Sequence, residues 1–121
     1  MARRVGARAG GAGRGGVLVE HAGVMEQIVA GVFEVDPADR ETWLASRTAL
    51  MARSRAEPGC ITYVFAPDPI EPGLIQLFER WASEEALEAH RQVLASSPTP
   101  DPGVPVARAD VRFFAASELP R

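Results

Sequence analysis

Apolar and polar positions change their spacing several times along this chain, and each change marks an element. Residues 27 to 35, QIVAGVFEV, are rich in β-branched and aromatic types, which predicts a strand. Asp36-Pro37-Ala38-Asp39 then predicts a helix start. Asp36 can cap, Pro37 suits the first turn, and Asp39 sits near the positive end of the dipole. That helix is expected to run to about Ala56, where Glu57-Pro58-Gly59 ends it. At about 100° per residue, Trp43, Leu44, Leu50 and Met51 share an arc roughly 120° wide, a core-facing stripe. Arg47 and Ser54 fall inside the same arc.

Residues 60 to 66, CITYVFA, predict a second strand, and the three prolines and terminal glycine of 67 to 73 predict a loop. Residues 74 to 81, LIQLFERW, predict a third strand with Ile75, Leu77, Glu79 and Trp81 on one face. Ser83 caps a second helix whose first turn carries Glu84 and Glu85. In it Ala86, Leu87 and Leu94 share a face with His90. SSPTPDPGVP, 96 to 105, is loop, and the last strand spans about 109 to 116. The order is β-α-β twice. With right-handed crossovers this gives a ferredoxin-like α+β fold, a four-stranded antiparallel sheet with two helices on one face. The first three strands are apolar on both sides, although helices can cover only one. A second copy of the chain is the natural cover, so a homodimer with sheets packed face to face is expected.

Composition narrows the function classes. A chain of 121 residues has room for one core. No stretch approaches the roughly 18 apolar residues of a membrane-spanning helix. Net charge is −3, which weighs against nucleic acid as the main partner. The single cysteine, Cys60, cannot build a disulfide framework or a zinc site, which suits a reducing, cytoplasmic compartment.

Charge is unevenly spread. Residues 1 to 24 carry four arginines and one acid, net +3, whereas the other 97 carry nine arginines and fifteen acids, net −6. The opening run MARRVGARAGGAGRGG holds six glycines and few core-forming residues, too little apolar surface to offset its backbone entropy. Residues 1 to 24 are therefore expected to be a disordered leader, with Met25 as an alternative start and 25 to 121 as the domain. Glycines stand where a twin-arginine export signal needs an apolar core.

The segment AEPGCITYVFAPDP (56 to 69), followed by LFERWASEEALEAH (77 to 90), resembles the antibiotic biosynthesis monooxygenase family. The resemblance implies a dimeric α+β barrel and membership among small oxygenases that include cofactor-independent quinol and anthrone oxygenases, haem-degrading enzymes, an isomerase, and members with no established activity. One departure stands out. The family usually keeps a further helical segment after the second helix, often opened by a histidine beside a phenylalanine, and here the proline-rich 96 to 105 replaces it.

Against that background several residues are candidates for chemistry. His90 is a potential base for a phenolic substrate; its bland alternative is a helix histidine that only bonds a neighbour. Trp81 can form the flat wall of an aromatic site or simply pack. Glu79, a carboxylate on an apolar strand face, needs a partner, and Arg47 is the expected one, unless Arg47 snorkels to solvent. Tyr63 can donate to an oxyanion or pack on the second sheet face. Cys60 is read as packing.

The sequence shows no metal-ligand cluster and no Gly-rich nucleotide fingerprint, so no cofactor is expected. Oxygenation without one requires a substrate that reduces O2 itself once deprotonated, a quinol or anthrone-type aromatic. The protein then supplies a dry pocket, a base and oxyanion donors. Two rivals remain. The haem-degrading branch is matched by Trp81 and His90, but it uses an Asn on strand one where this chain has Gly31. A non-catalytic dimeric binding module or scaffold is favoured by the replaced helix.

Overall fold

The computed structural model describes residues 25–121; the expected leader lies outside the described residues. Its first strand, β1 (Glu26–Val35), is followed by a 3-10 turn (Pro37–Asp39) and two short helices, α1 (Arg40–Ala45) and α2 (Thr48–Arg55). Then come β2 (Cys60–Pro67), β3 (Leu74–Trp81), α3 (Glu84–Ser96) and β4 (Val106–Ala116). The sheet order is β2-β3-β1-β4, and every neighbouring pair is antiparallel. This is the ferredoxin-like arrangement the two β-α-β units predict.

The expected caps form. Asp36 Oδ1 accepts from the Ala38 amide at 2.9 Å, and Ser83 Oγ from the Ala86 amide at 3.1 Å. The first helix, expected to be continuous, is instead broken at Ser46 and Arg47. The Ser46 amide reaches both the Thr42 and Trp43 carbonyls, and the Arg47 amide bonds Leu44 at 3.0 Å, which tightens the turn. Ser46 Oγ also donates to the Trp43 carbonyl, a local bond that competes with the helical ladder. In α2, Leu50 and Ser54, one turn apart on the expected inward arc, are both buried.

Register separates the two sheet faces. Val29 stands opposite Glu79 on one side and Phe113 on the other, and Tyr63 stands opposite Glu79; these residues share the helix-covered face. The core lies there, with Trp43, Leu50 and Leu87 from the helices packed on Val29, Phe65, Ile75 and Leu77. Burying each such aliphatic side chain contributes about 1.5–3 kcal/mol. The opposite face carries Ile28 beside Phe114 and Val64 beside Phe78, with Phe78 and Phe114 exposed. The expected excess of apolar residues on the uncovered face is therefore present.

Candidate active site

The site is assembled where α2 ends and α3 crosses the sheet. Trp81 closes β3 and is 0 % exposed, while His90, two turns into α3, is 2 % exposed. Their rings pack 4.6 Å apart at 33°. Tyr63 meets both edge-on, 5.3 Å from His90 and 6.3 Å from Trp81. The sequence brings these three aromatic rings together because Tyr63 and Trp81 point to one sheet face and His90 sits on the apolar stripe of α3.

Glu79 shares that face and is buried. Its expected partner, Arg47, is not the one it has. The Trp81 indole donates from Nε1 to Glu79 Oε1 at 2.9 Å, whereas the Arg47 guanidinium lies 4.4 Å over the Trp43 ring. The helix break explains the difference, since Arg47 is the N-cap of α2 rather than a mid-helix residue aimed at β3. Burial pushes the Glu79 carboxyl above its ordinary value, opposed by the Trp81 hydrogen bond and by His90. Arg47 is itself lowered by burial.

Two polar residues join the site that the sequence reading left out. Glu57 Oε1 lies 2.8 Å from His90 Nδ1. A carboxylate only accepts, so Nδ1 carries a proton, and in the neutral ring the lone pair is then on Nε2. His90 Nε2 and Glu57 Oε2 are both buried without a hydrogen-bond partner among the described residues. Ser54 is also fully buried, and its Oγ is likewise unpartnered. The signal for Ser54 was its place in the apolar arc; that for Glu57 was only an acid beside a turn.

Tyr63 lies on the helix face, not on the open sheet face that was its alternative. Its phenol is pushed well above its ordinary value, chiefly by burial and next by the Glu79 charge, with Ser54 opposing. It therefore stays protonated and acts as a donor. Cys60 is half-buried, and burial, Glu57 and Glu79 raise its thiol. That is the state of an unreactive packing cysteine.

The proline-rich 96–105 forms a strap in place of a helix. Arg53 Nη2 donates to the Ser97 carbonyl at 3.0 Å and Nη1 to Ser97 Oγ at 3.3 Å. Val104 packs on the core. These bonds clasp α2 to the chain just beyond α3.

The residues do not fit haem in the manner of the haem-degrading branch. A Cβ on Gly31 would come within 2.9 Å of Val111 Cγ2 and 3.3 Å of the Asp110 carbonyl, so an asparagine there would require β4 to shift. Among the described residues no helix is long and apolar enough to cross a membrane.

Comparison with known proteins agrees with this architecture. Rv0793 from Mycobacterium tuberculosis superposes with a TM-score of 0.62 at 24% identity, over 78% of this chain and 97% of that one. A Caulobacter crescentus protein provisionally assigned as an antibiotic biosynthesis monooxygenase gives 0.60 at 23%, over 78% and 92%. At these identities the likeness concerns the fold. The uncharacterized protein sll1783 of Synechocystis is 38% identical over 65 residues, 54% of this chain and only 44% of its own length. The model of the antibiotic biosynthesis monooxygenase family matches residues 27–95, which span β1 to the end of α3 and every residue of the aromatic cluster, and the chain belongs to that family.

Proposed function

We propose that this chain is a cofactor-independent monooxygenase acting on a quinol or anthrone-type aromatic. The observation that carries the reading is His90, buried against Trp81 and Tyr63 with Nδ1 on Glu57 and Nε2 left without a partner. An oriented, desolvated imidazole with a free lone pair is what deprotonation of a weakly acidic aromatic requires.

In the anthrone case, Nε2 of His90 takes a proton from the ring methylene, and the resulting enolate is the reductant. O2 bonds to that carbon, the remaining methylene proton is lost, and the O–O bond breaks. One oxygen stays as a carbonyl, and the other leaves as water. The substrate provides all the electrons. Tyr63, held protonated, donates to the enolate oxygen, and Trp81 supports the ring. Glu79 fixes the indole through Nε1, and Arg47 stands at the margin beside Trp43.

Oxygen uptake with a panel of quinols and anthrones tests the reading. The intact protein is expected to consume O2 in step with substrate loss, and His90→Ala to lose about 10²- to 10⁴-fold in rate. Trp81→Ala is expected to raise KM. Failure of the intact protein to consume O2 across the panel would sink the reading.

A second reading, a non-catalytic dimeric binding module or scaffold, is favoured by one observation. Trp81 and His90 stack on each other and neither is exposed, so a ligand enters only if α3 or the strap shifts. Ligand binding with no oxygen uptake would select it. In either case a second copy is proposed to cover the open sheet face of Ile28, Val64, Phe78 and Phe114. Phe78→Glu is then expected to sediment as a monomer. The lone thiol suits a cytoplasmic location.

A further inference from the structure

The strap after α3 is the most weakly held part of the helix layer. Residues 97 to 105 include Pro98, Pro100, Pro102 and Pro105, which offer no backbone N–H and stiffen the chain around them. Among the described residues, the backbone from 98 to 104 makes no hydrogen bond outside the segment itself. Two attachments remain. Arg53 donates to the Ser97 carbonyl and to Ser97 Oγ, in bonds open to solvent, and Val104 packs on the core. Gly103 has a φ of +75°, and an added Cβ there would meet nothing within 4 Å, so it is a pivot in open space. By contrast α3 is held by the Ser83 cap, by burial of Leu87 and His90, and by the Glu57 bond to His90. The strap joins α3 to α2 along the seam where Glu57 also meets His90. Arg53 Nε, Ser54 Oγ, Glu57 Oε2 and His90 Nε2, all from these two segments, are buried there without partners among the described residues.

We infer that the strap is the gate of the aromatic cluster: a stiff arm from Ser97 to Gly103, latched by Arg53, that swings out to open the seam between α2 and α3. Opposing forces set its balance. Each buried polar atom without a partner disfavours the closed seam, because water or a polar ligand admitted there would satisfy it. The latch and the burial of Val104 favour closure. A segment with so few buried contacts opens locally while the sheet stays folded. Because the prolines stiffen the arm between its two ends, the motion falls on Gly103 and on Ser97, the C-cap of α3. The gate explains how a ligand reaches His90 and Trp81, which are closed to solvent, without α3 leaving the sheet. Re-latching over the ligand would then exclude water. The gate serves the site whether the site turns over its ligand or only binds it.

Carbethoxylation of His90 by diethyl pyrocarbonate, which attacks an imidazole lone pair, reads the opening without turnover, and peptide mass identifies the modified histidine. In the intact protein His90 is expected to react at least about tenfold more slowly than N-acetylhistidine. Arg53→Ala, which removes the latch, should speed it about tenfold, with Arg53→Lys in between. Gly103→Ala should speed it roughly fivefold, because alanine disfavours the positive φ of the closed strap although its methyl meets no neighbour. Amide exchange in β1 and β3 is expected to keep its parental protection in both variants, which separates opening of the strap from unfolding of the domain. Should Arg53→Ala not fold, Gly103→Ala carries the test alone. Equal reactivity in parent and variants overturns the gate, and so does a rise matched by lost protection in β1 and β3. Ser83→Ala loosens α3 instead; if it alone speeds His90, α3 is the gate and the strap is not. None of these readings depends on O2 uptake, so the gate and the oxygenase proposal stand or fall separately.

Discussion

Glu57 reaches across 33 residues of sequence to place a carboxylate oxygen 2.8 Å from Nδ1 of His90. The contact fixes both the rotation of the imidazole and the nitrogen that keeps its lone pair. Glu57 does this from a turn, because α2 stops at Arg55 and Pro58-Gly59 turns the chain into β2. Under the proposed function it is a positioning residue, acting on substrate only through His90.

Glu57→Ala is therefore expected to lower kcat roughly 10- to 100-fold with KM nearly unchanged. Glu57→Gln keeps an acceptor for the Nδ1 proton and should recover part of the loss. Both variants need unfolding curves, because a buried Nδ1–H without an acceptor costs about 1–3 kcal/mol. A purely structural role would show as lost stability with normal kcat per folded molecule.

Tyr63 is the one tyrosine of the chain, so its ionisation can be followed without interference. Burial and the Glu79 charge hold its folded value above the ordinary 10.0. The sign follows directly: the folded state keeps the proton more tightly than the unfolded one. Its contribution to stability is complete below about pH 10 and is lost as pH rises towards the folded value. Alkaline titration should show no phenolate absorbance at pH 10 in the folded protein, and its appearance should coincide with unfolding. A smooth titration centred near 10 with the fold intact would contradict the burial argument.

How far the sequence foretold this site depends on how local the signal was. Ser83, Asp36 and the faces of β3 and α3 could be read because a cap or a period acts within a few residues. Hence Trp81, Glu79 and His90 converge on one face as their spacing implied, whereas the spacing of β2, apolar on both faces, leaves the face of Tyr63 undecided. The break at Ser46 was not legible, since it turns on one hydroxyl choosing the Trp43 carbonyl. Beside that break Arg47 lies over Trp43, and Glu79 takes the Trp81 indole instead. The Glu57–His90 contact was also hidden, because nothing near either residue reports a partner 33 positions away. Arg40 illustrates the same limit: its Nη1 donates at 3.0 Å to the carbonyls of Asp68, Glu71 and Leu74, pinning a loop whose prolines foretold only that it would be irregular.

Glu79 gives a pH prediction of its own. Burial raises its carboxyl above the ordinary 4.5, so the folded state favours the protonated form. The stability this provides is present in full below about pH 4.5 and declines as pH rises through the folded value. Glu79→Gln, whose amide oxygen can still accept from the Trp81 indole, should remove that decline. Urea midpoints of the two proteins at pH 4.5 and 7.5 provide the check. The variant should gain relative to the parent at the higher pH, and an equal difference at both would refute the assignment.

Gly59 stands in the turn between Glu57 and β2. Its φ is +83°, a conformation that glycine adopts freely and other residues adopt at a cost. An added Cβ would lie 2.5 Å from the Ala86 Cβ, so the turn also lets β2 and α3 approach closely. Gly59→Ala thus meets both strain and a clash, and a loss of about 2–4 kcal/mol is expected from the two together. The double variant Gly59→Ala, Ala86→Gly relieves the clash and leaves the strain. It should recover only part of the loss, measured by chemical denaturation. Turnover separates the consequences further. If α3 moves away to accommodate the methyl, His90 leaves Glu57, and kcat falls in the single variant but returns in the double one. Full recovery of stability in the double variant would mean that the positive φ contributes nothing. Recovery of stability without kcat would mean that the turn places Glu57 by its own conformation and not through the approach of α3.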